Sequence, residues 1–330
     1  MAVYTQIDNP ELYFQCKLYT GTGSEIAATL DGDEDMQPDL VAIKARTDAE
    51  SHKVYDSVRG VTKHIEFDTT DAEATEAEGL KSFDSDGFTI GTYSSINASS
   101  SHNYVAWCWK ESADAGFDII TYSGTGSAKN ESHSLSATPH WILTESTSHS
   151  QAWATHHRSY SATEKVMYFD RTNALASTDP DWLTAVSSST ISLGGSGSDA
   201  NTSGRTYVNY LWSEKQGFSK FGSYTGNGNA DGTFVFCGFR PAFVICKRTD
   251  SSDNWMMVDN KRGSINLIDE VIFSDLDQEE VETNACDFLS NGFKAKTTST
   301  WINASGGTYI YMAFAEQPFV NSNGVPCNAR

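Results

Sequence analysis

Along most of the chain the apolar residues come in runs of about four to eight, rich in Val, Ile, Phe, Tyr and Trp and separated by clusters of Gly, Asn, Asp and Ser. Runs of that length bounded by turn formers predict strands, and apolar spacing at the helical period hardly appears. Asp86-Gly87 before "FTIG" and Asn291-Gly292 before "FKAK" predict hairpins, because such dipeptides favour left-handed turn geometry. In "YVAWCWK", Val105, Trp107 and Trp109 share one face of a strand, and Tyr104, Ala106 and Cys108 share the other. Both faces are largely apolar, so this strand is expected to be central and covered on two sides. The exception to the pattern is the acidic stretch "DTTDAEATEAEGL" (Asp68 to Leu80), which is matched in place by "DRTNALASTDPDWL" and "SDLDQEEVETNACDFL". Its position between strands predicts a surface loop.

The strand pattern repeats. "YTGTGS" at Tyr19, "YSGTGS" at Tyr122 and "YTGNGN" at Tyr224 lie 103 and 102 residues apart. After each comes a proline and an apolar run (Pro38, Pro139, Pro241), then an arginine (Arg59, Arg158, Arg262). Each copy closes on an Asn, a small residue, a Ser and an aromatic strand that ends at Glu111, Glu214 or Glu316. The expected organisation is an N-terminal arm (1–16), three repeats (17–119, 120–221 and 222–319) and a C-terminal tail (320–330). Units of roughly 100 residues are long enough to close their own cores, unlike short solenoid repeats. The predicted fold is all-β: three tandem homologous β-sandwich, jelly-roll-like domains.

Composition narrows the partners. The net charge of -20 supplies no cationic footprint for nucleic acid and argues against adsorption to anionic membranes. No run is apolar for long enough to span a bilayer, so membrane insertion is not expected. "MAVYTQIDNPELYFQ" lacks the basic start and apolar middle of a signal peptide, which predicts a protein that stays in the cytosol or leaves by another route. The six cysteines fall at different places in the repeats, and a disulfide framework would recur with them; buried reduced thiols are expected.

The glycine-rich phrase has no later glycine at dinucleotide-loop spacing and no Gly-Lys-Ser/Thr, so it reads as a backbone device rather than a phosphate loop. "DGDEDMQPD" has Met36 and Ala42 where a calcium loop needs glycine and glutamate, and reads as a solvated acidic loop. His156 and His157 are adjacent on a predicted strand and point to opposite faces, so they read as an unligated surface pair. No catalytic signature occurs, and neither enzyme activity, a cofactor nor a metal site is expected. Asn97, Asn201 and Asn303 satisfy the glycosylation rule but read as turn residues. Trp182, in a variable loop, reads as an aromatic that packs under its own loop or stacks on a sugar or partner. Leu12, Tyr13 and Phe14 of "ELYFQ" read as an anchor for a neighbouring domain or subunit. With His156, His157 and Trp182 they make up the candidate partner surface.

"YFQCKLYTGTGS", "QPDLVAIKART", "DSVRGVTK", "GLKSFDSDGFTIG" and "YVAWCWK" in the first repeat resemble the repeat-containing structural proteins of marine tailed bacteriophages, including cyanophages. So do "FSKFGSYTGNGNADGTFVFCGFRPAFVICKRTD" and "NASGGTYIYMAFAEQPF" in the third. The middle repeat departs most, losing the basic residues found at Lys44 and Lys247. The resemblance implies a virion structural protein of the tail or tail fibre, assembled in the host cytoplasm. The implied partners are other virion proteins, further copies of itself, and a glycan or protein of the host surface. The alternatives are a capsid decoration or head-fibre protein, and a jelly-roll carbohydrate-binding protein or carbohydrate-active enzyme.

Overall fold

The computed structural model describes residues 4–99, 101–176, 182–195, 199–263 and 266–327. The first unit contains β1 (Phe14–Thr20), β2 (Ile26–Ala28), β3 (Leu40–Ala45), β4 (Lys53–Asp56), β5 (Lys63–Glu66), β6 (Ala74–Thr75), β7 (Leu80–Asp84), β8 (Gly87–Ile90), the single turn α1 (Ser94–Asn97) and β9 (Asn103–Trp109). The second contains β10 (Phe117–Ser123), β11 (Lys129–Ser132), β12 (Trp141–Ser146), β13 (Ala154–His157), β14 (Met167–Tyr168), β15 (Leu183–Val186), β16 (Thr190–Leu193) and β17 (Thr206–Trp212). The third contains β18 (Ser219–Thr225), β19 (Phe234–Phe236), β20 (Phe239–Arg248), β21 (Met256–Asp259), β22 (Ile268–Phe273), β23 (Val281–Leu289), β24 (Gly292–Ala295), α2 (Thr300–Asn303) and β25 (Thr308–Pro318).

The three units share one strand order. The large sheets run β1-β9-β3-β4-β5-β6, β10-β17-β12-β13-β14 and β18-β25-β20-β21-β22, with all pairs antiparallel. A smaller sheet faces each: β2-β8-β7, β11-β16-β15 and β19-β24-β23, the last joined to its large sheet through β22. The fold is all-β, built from antiparallel sheets packed face to face. The predicted boundaries move: β1, β10 and β18 open at Phe14, Phe117 and Ser219, three residues before the expected starts. The last residues of the expected arm are therefore strand.

Each pair of sheets encloses its own core, around Phe88, Trp182 and Phe293 respectively. A further core belongs to no single unit. Val105, Trp107 and Trp109 of β9 meet Val208, Tyr210 and Trp212 of β17 and Ile310, Met312 and Phe314 of β25, with Leu40, Trp141 and Phe243 beside them. The second apolar face of each closing strand is thus covered by the neighbouring units. Each unit thus closes a core of its own, as its length predicts, and the shared core joins the three.

The units close in a ring, each holding the previous one by equivalent bonds. Trp153 Nε1 donates to Glu66 O (2.7 Å), Trp255 Nε1 to Tyr168 O (3.0 Å), and His52 Nε2 lies 3.0 Å from Phe273 O. The acidic stretches are the straps of these seams rather than free surface loops. Gln151 N donates to Thr70 O and Glu73 N to Thr147 O, while Asp253 N donates to Thr172 O and Leu175 N to Thr249 O. Glu280 N donates to Arg46 O in the third seam.

Candidate functional site

The glycine phrase forms a buried latch in all three units. A Cβ on Gly21, Gly124 or Gly226 would lie 2.3, 2.2 or 2.4 Å from a backbone oxygen of Ala98, Thr202 or Ala304, so only glycine fits. Asn97 Oδ1 accepts from Thr22 N at 2.8 Å, and its Nδ2 donates to Ser24 O and Gly91 O. Asn201 holds Thr125, Ser127 and Gly194 in the same way, and Asn303 holds Asn227, Asn229 and Thr297. Tyr104, Tyr207 and Tyr309 donate nothing to these asparagines but accept, through their hydroxyls, from the N–H of Ala98, Thr202 and Ala304. All three asparagines are fully buried. They are structural side chains that a glycosyl group cannot reach in the folded protein.

The expected partner residues separate. Phe14 is buried, 5.1 Å from the rings of Trp109 and Phe314 and 5.6 Å from Phe243. It anchors the first unit to the third within one chain. Tyr13 is half-buried with its ring edge toward Phe218, and Leu12 closes a short 3-10 turn (Pro10–Leu12) capped by Asn9. His156 and His157 are not a surface pair: both are buried in β13. Burial, followed by the neighbouring His156, brings His157 down to about 3, and burial brings His156 to about 4, so both rings are neutral. Ser159 N donates to His157 Nδ1, leaving Nε2 to donate to Tyr311 O across a seam. Trp182 is 1% exposed and fills the second unit's core, where it can stack on no ligand.

Register also corrects the arginine alignment. β4, β13 and β21 end at Asp56, His157 and Asp259. Three residues on stand Arg59, Tyr160 and Arg262, so Tyr160 and not Arg158 holds the equivalent place. Arg59 pairs with Asp56, and Arg262 Nε donates to Asp259 at 2.6 Å; both pairs are buried. Across the seams Tyr210 Oη donates to Asp56 (2.7 Å) and Trp107 Nε1 to Asp259 (3.0 Å). Met312 fills the third equivalent position without a donor, and there the aspartate is replaced by His157. Lys44 and Lys247 are likewise buried, donating to Asp277 O (3.1 Å) and Thr172 O (3.0 Å) of the neighbouring unit.

Sequence reading missed the face where the two chain ends meet. Asp8 accepts from Ser322 N at 2.7 Å, and Gln6 N donates to Gln216 O. Tyr4, Phe236 and Phe319 stand exposed around an open cleft of about 430 Å³, with Glu214, Gln216 and Lys220 on its polar side. Val325 is exposed in the tail beside them. Phe234 and Phe236 project from β19, an edge strand, whereas the matching positions of β2 and its flank are Ala27 and Thr29. Large aromatics in place of small or polar residues on one edge were the available signal. Among the described residues no group of three or more His, Cys, Asp or Glu side chains is placed to hold a metal ion.

Residues 9–318 match the model of one family, described as a domain of unknown function (DUF7483). The chain belongs to that family. The family domain spans all three units together, as the shared core requires of any unit that folds as one body. A search of curated proteins finds no match to the chain.

Proposed function

We propose that the chain is a structural component of a tailed-phage virion, part of the tail or its fibres, that works by attachment rather than by catalysis. The observation that carries this reading is the terminal face. Asp8 and Ser322, the outer edge of the aromatic strand β19, and Tyr4, Phe236, Phe319 and Val325 converge there. Exposed apolar patches of this kind mark interaction sites. The reading is supported by the buried use of the polar and aromatic groups elsewhere, which hold the three units as one body. In it, other virion proteins cover the terminal face, and the acidic remainder stays solvated. A capsid-surface position would use the same face. The test is proteomic and immunological detection of the chain in gradient-purified particles of the phage that encodes it. Its absence from particles that carry every other structural protein overturns the reading.

A second reading, carbohydrate binding, is favoured by the same cleft, since aromatic rings beside an amide, a carboxylate and an ammonium suit a sugar's apolar face and hydroxyls. Binding on a glycan array that Phe236→Ala abolishes would favour it over attachment to protein.

A further inference from the structure

The three seams are built on one plan, and the first departs from it in charge. Where the first unit carries Lys44 and the third Lys247, each reaching a carbonyl of its neighbour, the second carries Glu145. Its carboxyl is fully buried, and both oxygens lack a hydrogen-bond partner. The carbonyl that the plan would offer it, Thr70 O, accepts from Gln151 N, and an ionised carboxylate has no proton to donate to it. The charged groups that bear on Glu145 are Asp170 and Asp199 of its own unit and Arg59 of the first. An ionised carboxylate left unpaired in such a place is costly, and a protonated one far less so.

A second departure lies at the same junction. Glu214, at the end of the second unit, is paired with Lys220 of the third at 2.7 Å. Its counterpart Glu111, at the end of the first unit, faces Asp118 of the second, with Asp39 also near, and finds no cation there. Burial first, and then the Asp118 carboxyl, push Glu111 up to about 7, and burial first, and then Asp170, push Glu145 well above the carboxylate range.

We propose that the seam between the first and second units is a pH-sensitive joint, closed while Glu145 and Glu111 hold protons and loosened as they ionise. In the other two seams burial brings Lys44 and Lys247 down to about 8, so those seams keep their cations while the carboxyls of this one ionise below that pH. Their cross-seam cations, Lys247 and Lys220 in one and Lys44 and Arg46 in the other, stand where this joint has Glu145, Asp118 and Thr147; Arg46 makes two hydrogen bonds to Glu280, at 2.7 and 2.9 Å. The cation that does cross this joint, Arg59, is engaged with Asp56, Glu73 and Tyr210.

The test is hydrogen exchange on the full chain at pH 5.5 and pH 8.5, corrected for intrinsic rates. The reporters are the strap amides of Glu73 and Gln151, read in the native chain and in the double variant Glu111→Gln, Glu145→Gln, because burial brings Lys247, beside the matched amides of the second seam, down to about 8. Between the two pH values the protection of this pair should fall at least tenfold more in the native chain than in the double variant. Glu145→Gln alone should remove part of that fall. An equal fall in the native chain and the double variant overturns the proposal, as does the absence of a fall in the native chain. Should the double variant not fold, Glu145→Gln alone takes its place, together with infrared detection of a protonated buried carboxyl that must be present at pH 5.5 and diminish by pH 8.5.

Discussion

The indole N–H of Trp107 donates 3.0 Å to Oδ2 of Asp259, a residue 152 positions away in the third unit. The same carboxylate accepts from Arg262, whose guanidinium lies over the Trp107 ring, 5.5 Å from its centroid. One contact therefore combines a charge-assisted hydrogen bond, a cation–π interaction and the closure of the ring of units.

Trp107→Phe keeps most of the ring and deletes the donor. The expected loss is about 2 kcal/mol, the size of a hydrogen bond to a charged group. Trp107→Ala also empties the shared core and should cost about 4 kcal/mol. Urea unfolding of the two variants checks the ratio; a Trp107→Phe variant as stable as the native chain would mean that the hydrogen bond contributes nothing.

Asn303→Ala removes the acceptor for Asn227 N and the donor to two carbonyls. A cost of about 2 to 3 kcal/mol is expected from the buried groups left unpaired. Asn97→Ala and Asn201→Ala should cost the same within about 1 kcal/mol, since the latch is shared. Denaturation midpoints of the three variants test that equality.

Acid should weaken the protein by a route that does not involve carboxylates. Burial, then Lys44, hold His52 at about 3, and burial with His156 holds His157 at about 3, against an ordinary 6.5. Above pH 6.5 the stability from these neutral rings is fully present. As pH falls, the unfolded chain takes up protons near 6.5 while the folded chain refuses them until about 3, so stability is lost across that window. The slope is about 1 kcal/mol per pH unit for each ring. Replacing both by Gln should flatten stability measured from pH 7 to pH 4, and an unchanged slope would refute this origin.

Phe14 and Phe236 should behave as opposites. Phe14→Ala opens a hole in the shared core and should cost about 3 to 4 kcal/mol, so an N-terminal deletion through residue 15 loses stability rather than attachment alone. Phe236→Ser, at 61% exposure, should leave stability within about 0.5 kcal/mol. Its effect should appear in recovery of the chain in particles, measured beside thermal melts of both variants.

The strand content and the repeat were legible because a period of two and a period of about 100 residues are both local properties of the text. Even the double apolar face of "YVAWCWK" was readable. What covers the second face was not, since periodicity reports that a side chain is buried and not by which partner. Lys44 shows the difficulty: a lysine in an apolar run reads as an exposed tip, yet its ammonium donates to Asp277 O, in a unit over 200 residues away. The arginine alignment failed for a related reason. Matching letters favoured Arg158, whereas strand register selects Tyr160, and the Asp-x-x-Arg spacing shared by "DSVR" and "DNKR" but not "HRSY" was the clue. His156 and His157 read as surface residues because polar residues usually are, yet a neutral imidazole tolerates burial that its neighbours in sequence do not advertise; Trp182 is packed inside, one of the two readings its place allowed.

The ring of seams also sets the order of events during synthesis. As the first unit leaves the ribosome, the outward faces of Trp107 and Trp109 have no cover, because Phe243, Asp259 and Phe314 have not yet been made. The second unit supplies only one flank. The nascent chain thus carries an open aromatic seam for the time needed to translate more than 100 further residues, and only the arrival of β25 completes it. Productive folding of the three units waits for β25, and ribosome-bound chains that stop short of Phe314 should remain bound by chaperones that recognise exposed aromatic surface.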